Sequence, residues 1–494
     1  MNNKRILALI LALVMILPAM VSCDSKGDDN GPVEPGILTK SDSIVPGDLT
    51  FEGETFTVLC REDNAWSDVQ HEISADEGET ELVNQAVYDR NLEVEERFGL
   101  EALVAHAIPG QWAVGDDFVN TFKNSILSDS GAFDLIMSHQ AYMVSDPENI
   151  ELYYNLYELP YVKDNLGATF YNQDIVKEMT INGKLFFLLS DYSLTYWESA
   201  YVLYFNKALA ENNNLEDLYA LVKDGTWTFD RMTEMAKGKW QDLNGDLWPD
   251  ESDSFGYVSD IPNTTDALSS HFDTHLTGRD ENGEVVFNVD QGKMVNILEA
   301  FIEFKNSDDT HFVQTSSSDT NDSNPVDKIF REGRALFYPA QLDRAQEFRG
   351  METDFGIIPY PKWDDNQDNY YTHAQDGYSI GVVPMDVRNP EKVGAVVDVL
   401  CALSSEMVIP AYYDMALKDK YSRDDESGKM LDIIREGFTC NFGYFYGQPL
   451  GCANIFRQLI AQDNSNFVSY YAVQSKGYNR KLNQLIACYE DDAE

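Results

Sequence analysis

The sequence predicts an α/β fold, and three observations predict it. Short apolar runs that end in polar loops alternate with stretches whose apolar residues recur at helical spacing. Hydrophobic residues make up 43% of the 494 and charged residues only 24%, which is ample material for packed cores. No internal repeat is visible, and a chain of this length is expected to hold about two to four domains.

The elements follow in order. Lys4 and Arg5 precede the unbroken apolar run Ile6 to Leu17, then Pro18, small residues and Cys23. The run is too short to span ~30 Å of hydrocarbon, which takes ~20 residues, so residues 1–22 read as a signal peptide. Its end, Met20-Val21-Ser22-Cys23, resembles a bacterial lipobox, in which the cysteine is lipidated; Met20 stands where Leu is usual. The stretch 23–48 is rich in Asp, Gly, Pro and Ser and too poor in large apolar groups to offset chain entropy, so it reads as an acidic tether. Thr55 to Leu59 is a strand ending at Cys60-Arg61-Glu62-Asp63-Asn64. A helix then starts near Glu79, carries Val83, Val87, Val94 and Phe98 on one stripe, and stops at Gly99. Phe133 to Met137 and Tyr201 to Phe205 are further strands, as are Ala335 to Tyr338 and Tyr378 to Val383. Helices are expected at 229–237, with Thr228 as N-cap, and at Met294–Phe304, Pro325–Phe330, Val393–Leu403 and Phe456–Ala461. This alternation implies a mainly parallel sheet with ligand-binding loops beyond the carboxyl ends of strands, which points to 61–68 and 138–142.

Charge and chemistry exclude several classes. Lys and Arg total 36 against 84 Asp and Glu, a formal charge of −48, so nucleic acid is excluded as a partner and anionic lipid is repelled. Membrane attachment is then expected through the lipid anchor alone. The six cysteines are Cys23, Cys60, Cys401, Cys440, Cys452 and Cys488, without a CxxC pair. Cys440 and Cys452 form a disulfide or remain isolated thiols. The seven histidines fit no HExxH, and no GxSxG or GxxxxGK[ST] is present. His271 and His275 stand four apart, as metal ligands on a helix face or as a surface pair.

Five blocks together resemble family 1 extracellular solute-binding proteins, the carbohydrate receptors of ABC importers. They are Tyr201-Val-Leu-Tyr-Phe-Asn-Lys207, Asp224-Gly-Thr-Trp-Thr-Phe-Asp230, Phe330-Arg-Glu-Gly-Arg-Ala335, Phe355-Gly-Ile-Ile-Pro-Tyr-Pro361, and Tyr412-Tyr-Asp-Met-Ala-Leu-Lys418 with Arg423-Asp424-Asp425. The resemblance implies a class II periplasmic-binding-protein-like fold of two hinge-linked α/β lobes, 50–192 plus 335–402 and 193–334 plus 403–494, with solute bound in the cleft between them. It also implies a lipid-anchored receptor on the extracytoplasmic face of a bacterial cell membrane, with ABC permease subunits as partners, no catalytic residues and no required cofactor. A secreted carbohydrate-active enzyme, which needs only two suitably spaced carboxylates, and a peptide receptor are the alternatives.

A sugar presents apolar C–H faces and rings of hydroxyls, so its site needs flat aromatics and side chains that donate and accept. Asp63, Asn64 and Trp66 follow the first strand, and Gln140 follows the strand at 133–137. Trp197 and Glu198 precede the segment expected to cross between lobes. Asp376 and Tyr378 occupy a loop that faces the cleft in look-alike receptors, the other reading of Asp376 being a turn cap beside Gly377. Tyr444 completes the set, whereas Trp227 reads as core. Separately, Asp242, Asn244, Asp246, Asp250 and Asp253 place oxygens at loop positions 1, 3, 5, 9 and 12, with the Trp248 carbonyl at 7, the pattern a structural calcium ion needs. Leu247 stands where an EF-hand loop has Gly, and an acidic, metal-free turn is the alternative reading.

Overall fold

The computed structural model describes residues 42–62, 69–109, 115–313, 324–413 and 425–490, all within a compact unit spanning Lys40–Glu494. Cys23, the signal and most of the tether lie outside the described residues, as do Asp63, Asn64 and Trp66. Eleven strands are described: β1 (Thr55–Arg61), β2 (Ala102–Ile108), β3 (Leu135–His139), β4 (Tyr201–Asn206), β5 (Phe255–Asp260), β6 (Thr277–Arg279), β7 (Val285–Phe287), β8 (Thr310–Val313), β9 (Ala335–Gln341), β10 (Phe355–Ile358) and β11 (Ser379–Val382). They form a four-stranded sheet in the order β11-β3-β1-β2, a five-stranded sheet in the order β10-β4-β9-β5-β8, and the ribbon β6-β7.

The sheets are mixed rather than mainly parallel. β1 runs parallel to β2 and β3, and β5 runs parallel to β8 and β9, as helical crossovers require. β4, β10 and β11 are antiparallel to neighbours in the two main sheets. β4 and β11 follow two segments that run alongside each other in opposite directions, with Tyr201 N–H donating to the His373 carbonyl at 2.9 Å and Gln375 N–H to the Ser199 carbonyl at 2.9 Å. β9 and β10 lie in the stretch the sequence reading gives to the first lobe, yet both hydrogen-bond within the five-stranded sheet, where β4 sits between them.

Local signals set the helices. Leu82–Phe98 begins at a Glu81 side chain that accepts from Val83 N–H and ends at Gly99 in the left-handed conformation (φ 65°), which a glycine adopts without a Cβ penalty. Phe229–Ala236 is capped by Thr228, whose hydroxyl accepts from Arg231 N–H, as expected. Helices at Gln291–Lys305, Pro325–Arg331, Pro390–Leu403 and Ile455–Ala461 extend the expected ones by a few residues. The helix from Pro390 continues through a π turn to Tyr413; it is long and apolar enough to cross a membrane, but 72% of its most apolar stretch is buried inside the protein. Any side chain at Gly394 on this helix collides with the Pro160 carbonyl, so a glycine permits the close approach. Trp227 is fully buried, and its indole N–H donates to the Pro359 carbonyl at 3.1 Å, as the core reading expects.

Candidate functional site

A pocket open to solvent lies where the two crossing segments meet the main sheets. Gln140 follows the carboxyl end of β3, and Asp266 lies on the helix Ile261–His271 that follows the carboxyl end of β5. The pocket thus sits beyond strand ends of both sheets, where ligands of open α/β sheets bind. The segment from His373 to Tyr378 borders it between them, and Tyr444, on the short helix Phe442–Phe445, closes another side.

Backbone contacts hold this arrangement. Gln140 N–H donates to the Tyr378 carbonyl at 2.8 Å and Ala141 N–H to the Asp376 carbonyl at 3.3 Å, tying the end of β3 to the crossing segment. The Gln140 amide donates to the Phe445 carbonyl. Gln375, not Asp376, caps the turn, its side-chain oxygen accepting from Gly377 N–H at 2.8 Å while its amide donates to Asp376 Oδ1 at 2.6 Å. Tyr378 is buried edge-on against Tyr196, with ring centroids 4.9 Å apart.

The polar groups are strongly perturbed. Burial pushes the Asp266 carboxyl up to about 7 even though the Arg457 guanidinium, donating to both its oxygens, pulls the other way. Burial also raises Asp376. His373 stacks on Tyr201 with centroids 6.3 Å apart and planes 8° from parallel, and shares a hydrogen bond with Ser270 Oγ at 3.1 Å. Burial, then neighbouring His271, lowers it to about 3, so it is a neutral imidazole at physiological pH. The wall therefore combines carboxylates, amides and rings, a set able to accept from and donate to a polyhydroxylated ligand and to cover an apolar face.

Four residues selected from sequence, Gln140, Asp376, Tyr378 and Tyr444, meet in this pocket. Trp197 and Glu198 do not line it. The Trp197 indole packs 4.8 Å from the Phe438 ring and 6.0 Å from Tyr413, with the Arg435 guanidinium 5.0 Å from its centroid. Glu198 lies 3.1 Å from His71 Nε2. Both belong to the packing of the first crossing segment. Asp266, His373 and Gln375 were not selected: Asp266 sits in a helix the sequence reading passed over, and the other two lie within three positions of Asp376 without a distinguishing pattern.

The loop 242–253 departs from the expected calcium geometry. Asp242 accepts from Gly245 N–H at 2.6 Å and Leu247 N–H at 2.9 Å, and Asp246 accepts from Trp248 N–H at 2.8 Å. Asn244 donates to Asp246 and Asp250 at 3.0 and 3.3 Å. Asp253 is fully buried and takes the Trp240 indole N–H and Leu243 N–H, both at 2.9 Å, so it is committed to the body of the protein. Among the described residues no group of three or more His, Cys, Asp or Glu is arranged to hold a metal ion. The histidine pair is separated too: His271 ends its helix buried against the Ala267 carbonyl, and His275 lies beyond it beside Asp273. Cys440 and Cys452 are free thiols.

No family model matches the chain, and no curated protein matches it. Solved structures do. A maltose/maltodextrin-binding domain from Bdellovibrio bacteriovorus bound to maltotriose aligns with a TM-score of 0.51 at 12% identity, over 88% of this chain and 100% of that one. A sugar transporter from Rhizobium etli in an open conformation gives 0.54 at 11% identity, over 88% and 99%. A designed esterase gives 0.53 at 13% identity, over 88% and 99%. At such identities the likeness is one of fold, and the chain has the two-lobed α/β fold of the periplasmic binding proteins.

Proposed function

We propose that the protein is a family 1-type solute-binding receptor that captures a sugar or oligosaccharide and delivers it, without turnover, to the permease subunits of an ABC importer. The observation that carries this reading is the pocket between strand ends of the two main sheets, bordered by paired crossing segments and walled by carboxylates, amides and tyrosines. A saccharide touching Gln140 on one side and Asp266 on the other gains both contacts only when the lobes are close, so binding favours closure. The lobes in this reading follow the sheets, with 335–358 moved to the second. The likeness of the neighbours' fold supports the reading, as two of them are sugar-binding or sugar-transport proteins.

The finer parts are proposals on the same reading: lipidation at Cys23, an extracytoplasmic position at a bacterial cell membrane, and calcium held by the remaining oxygens of 242–250. Replacing Cys23 by Ser should release the protein from the membrane fraction; unchanged fractionation counts against the anchor. The central test incubates the purified protein with glycan pools. Glycans retained and recovered intact, with a smaller radius of gyration in the bound state, are expected. Recovery of fragments would point to the enzyme, and retention without compaction would remove the closure mechanism.

A further inference from the structure

The charge around the pocket is one-sided, and this bears on which saccharides it takes; the point rests on the receptor reading above. Asp266, Asp376 and Asp260 all act on the Tyr201 phenol and raise it further after burial, and the Arg457 guanidinium opposes them. That guanidinium is bound at both ends to Asp266, by a bond of 3.2 Å from Nε to Oδ1 and a second from Nη2 to Oδ2. Asp376 has the Gln375 amide at 2.6 Å as its side-chain donor. Among the described residues that line the pocket, the other titratable groups add no positive charge. His373 is neutral. Burial raises the Cys440 thiol, and Asp174 accepts from Cys440 N–H at 3.2 Å, bringing one more acid to that edge.

We infer that the pocket selects saccharides without negative charge and rejects uronate, sulfate and sialate groups. A hydroxyl can donate to Asp376, whereas an anionic group there meets a like charge in a partly desolvated site and finds the Arg457 guanidinium already engaged by Asp266. A carboxylate-bearing sugar should therefore bind at least ~10-fold more weakly than its neutral counterpart, a ratio worth ~1.4 kcal/mol.

Calorimetric titration of the purified protein with matched pairs tests this: oligogalacturonides against their methyl esters, and sialyllactose against lactose, beside neutral malto- and manno-oligosaccharides. The expected result is binding confined to uncharged saccharides. Asp376→Asn should weaken neutral ligands yet narrow the gap to their acidic counterparts. Asp266→Asn, which frees Arg457, should narrow it further by improving the acidic ligand. Equal or tighter binding of an acidic saccharide by the wild-type protein would overturn the inference and leave the receptor reading intact. So would a gap that neither variant changes. Absence of binding by every saccharide, charged and neutral, would overturn the receptor reading and this inference with it.

Discussion

Trp197 shows how a single residue can be placed correctly along the chain and misread in space. Its position before β4 does put it in the first crossing segment, but its indole is enclosed by Tyr413, Phe438 and Arg435. Those three partners lie more than 200 positions further along the sequence, and nothing near Trp197 announces them. Asp376 lies at the pocket wall for a local reason: the turn that presents it is made by its neighbours Gln375 and Gly377. Trp197→Ala should remove packing from a partly buried aromatic at a cost of roughly 2–4 kcal/mol of stability. Chemical denaturation measures that loss, and saccharide affinity at a temperature where the variant is folded should stay within about threefold of wild type. A loss of affinity of tenfold or more with unchanged stability would return Trp197 to the binding site.

At the scale of elements, caps and apolar stripes were readable because they depend on neighbours within one or two turns. Thr228 and Gly99 act as the sequence predicts, and so does the buried face of Leu82–Phe98. Sheet order was not readable, since β9 and β10 reach β4 only through pairings remote in sequence. The loop 242–253 lies between these cases. Its oxygen spacing is local and real, and Leu247 takes the left-handed turn (φ 66°) that glycine fills in an EF-hand, while leaving its side chain 78% exposed. What spacing could not reveal is that Asp253 turns away from the other loop carboxylates into the protein, where it ties the Trp240 indole to the Leu243 backbone. Burial opposes its ionisation, but those donors, with Asp250 N–H and Arg334, hold its carboxyl below its ordinary value. Asp253→Ala should therefore cost about 1–3 kcal/mol by stranding two donors, more than Asp246→Ala at the exposed end. Thermal unfolding in calcium and in chelator checks the metal proposal on the same samples. Calcium binding predicts a chelator-induced drop in Tm that Asp246→Ala abolishes; the same Tm in both buffers would leave an acidic turn stapled by Asp253.

Across the whole molecule, buried titratable groups set a pH profile unlike that of a protein stabilised by surface ion pairs. Glu72 is fully buried, accepting from Thr195 N–H and Oγ1 at 2.8 and 2.9 Å and from the Ser379 hydroxyl, which joins the first helical turn after β1 to both crossing segments. Burial lifts it to about 7 although His71 and those donors pull it down. Burial likewise lifts Asp266 to about 7 and Asp191 and Asp327 to about 6. In each case the folded state holds a proton that the unfolded chain releases near pH ~4, so stability falls as pH rises from there through the folded pKa. Buried His271 and half-buried His373 act with the opposite sign: lowered to about 4 and 3, they stay neutral in the fold while the unfolded imidazole protonates below pH ~6.5, so stability falls as pH drops through that range. The two sets oppose each other between pH ~4 and ~6.5, and above that window only the carboxyls still titrate. Stability should therefore peak between pH ~5 and ~6.5 and decline toward pH 8. The formal charge of −48 adds repulsion in the same direction, but salt screens that part and leaves the buried part largely untouched. Thermal unfolding from pH 4 to 8.5 at low and high salt should show a falling limb above pH ~6.5 that salt shallows without removing. Glu72→Gln, which cannot ionise, should flatten that limb further at high salt. A limb that disappears in salt would assign the whole effect to surface charge, and a Tm that rises toward pH 8 would contradict the buried carboxyls altogether.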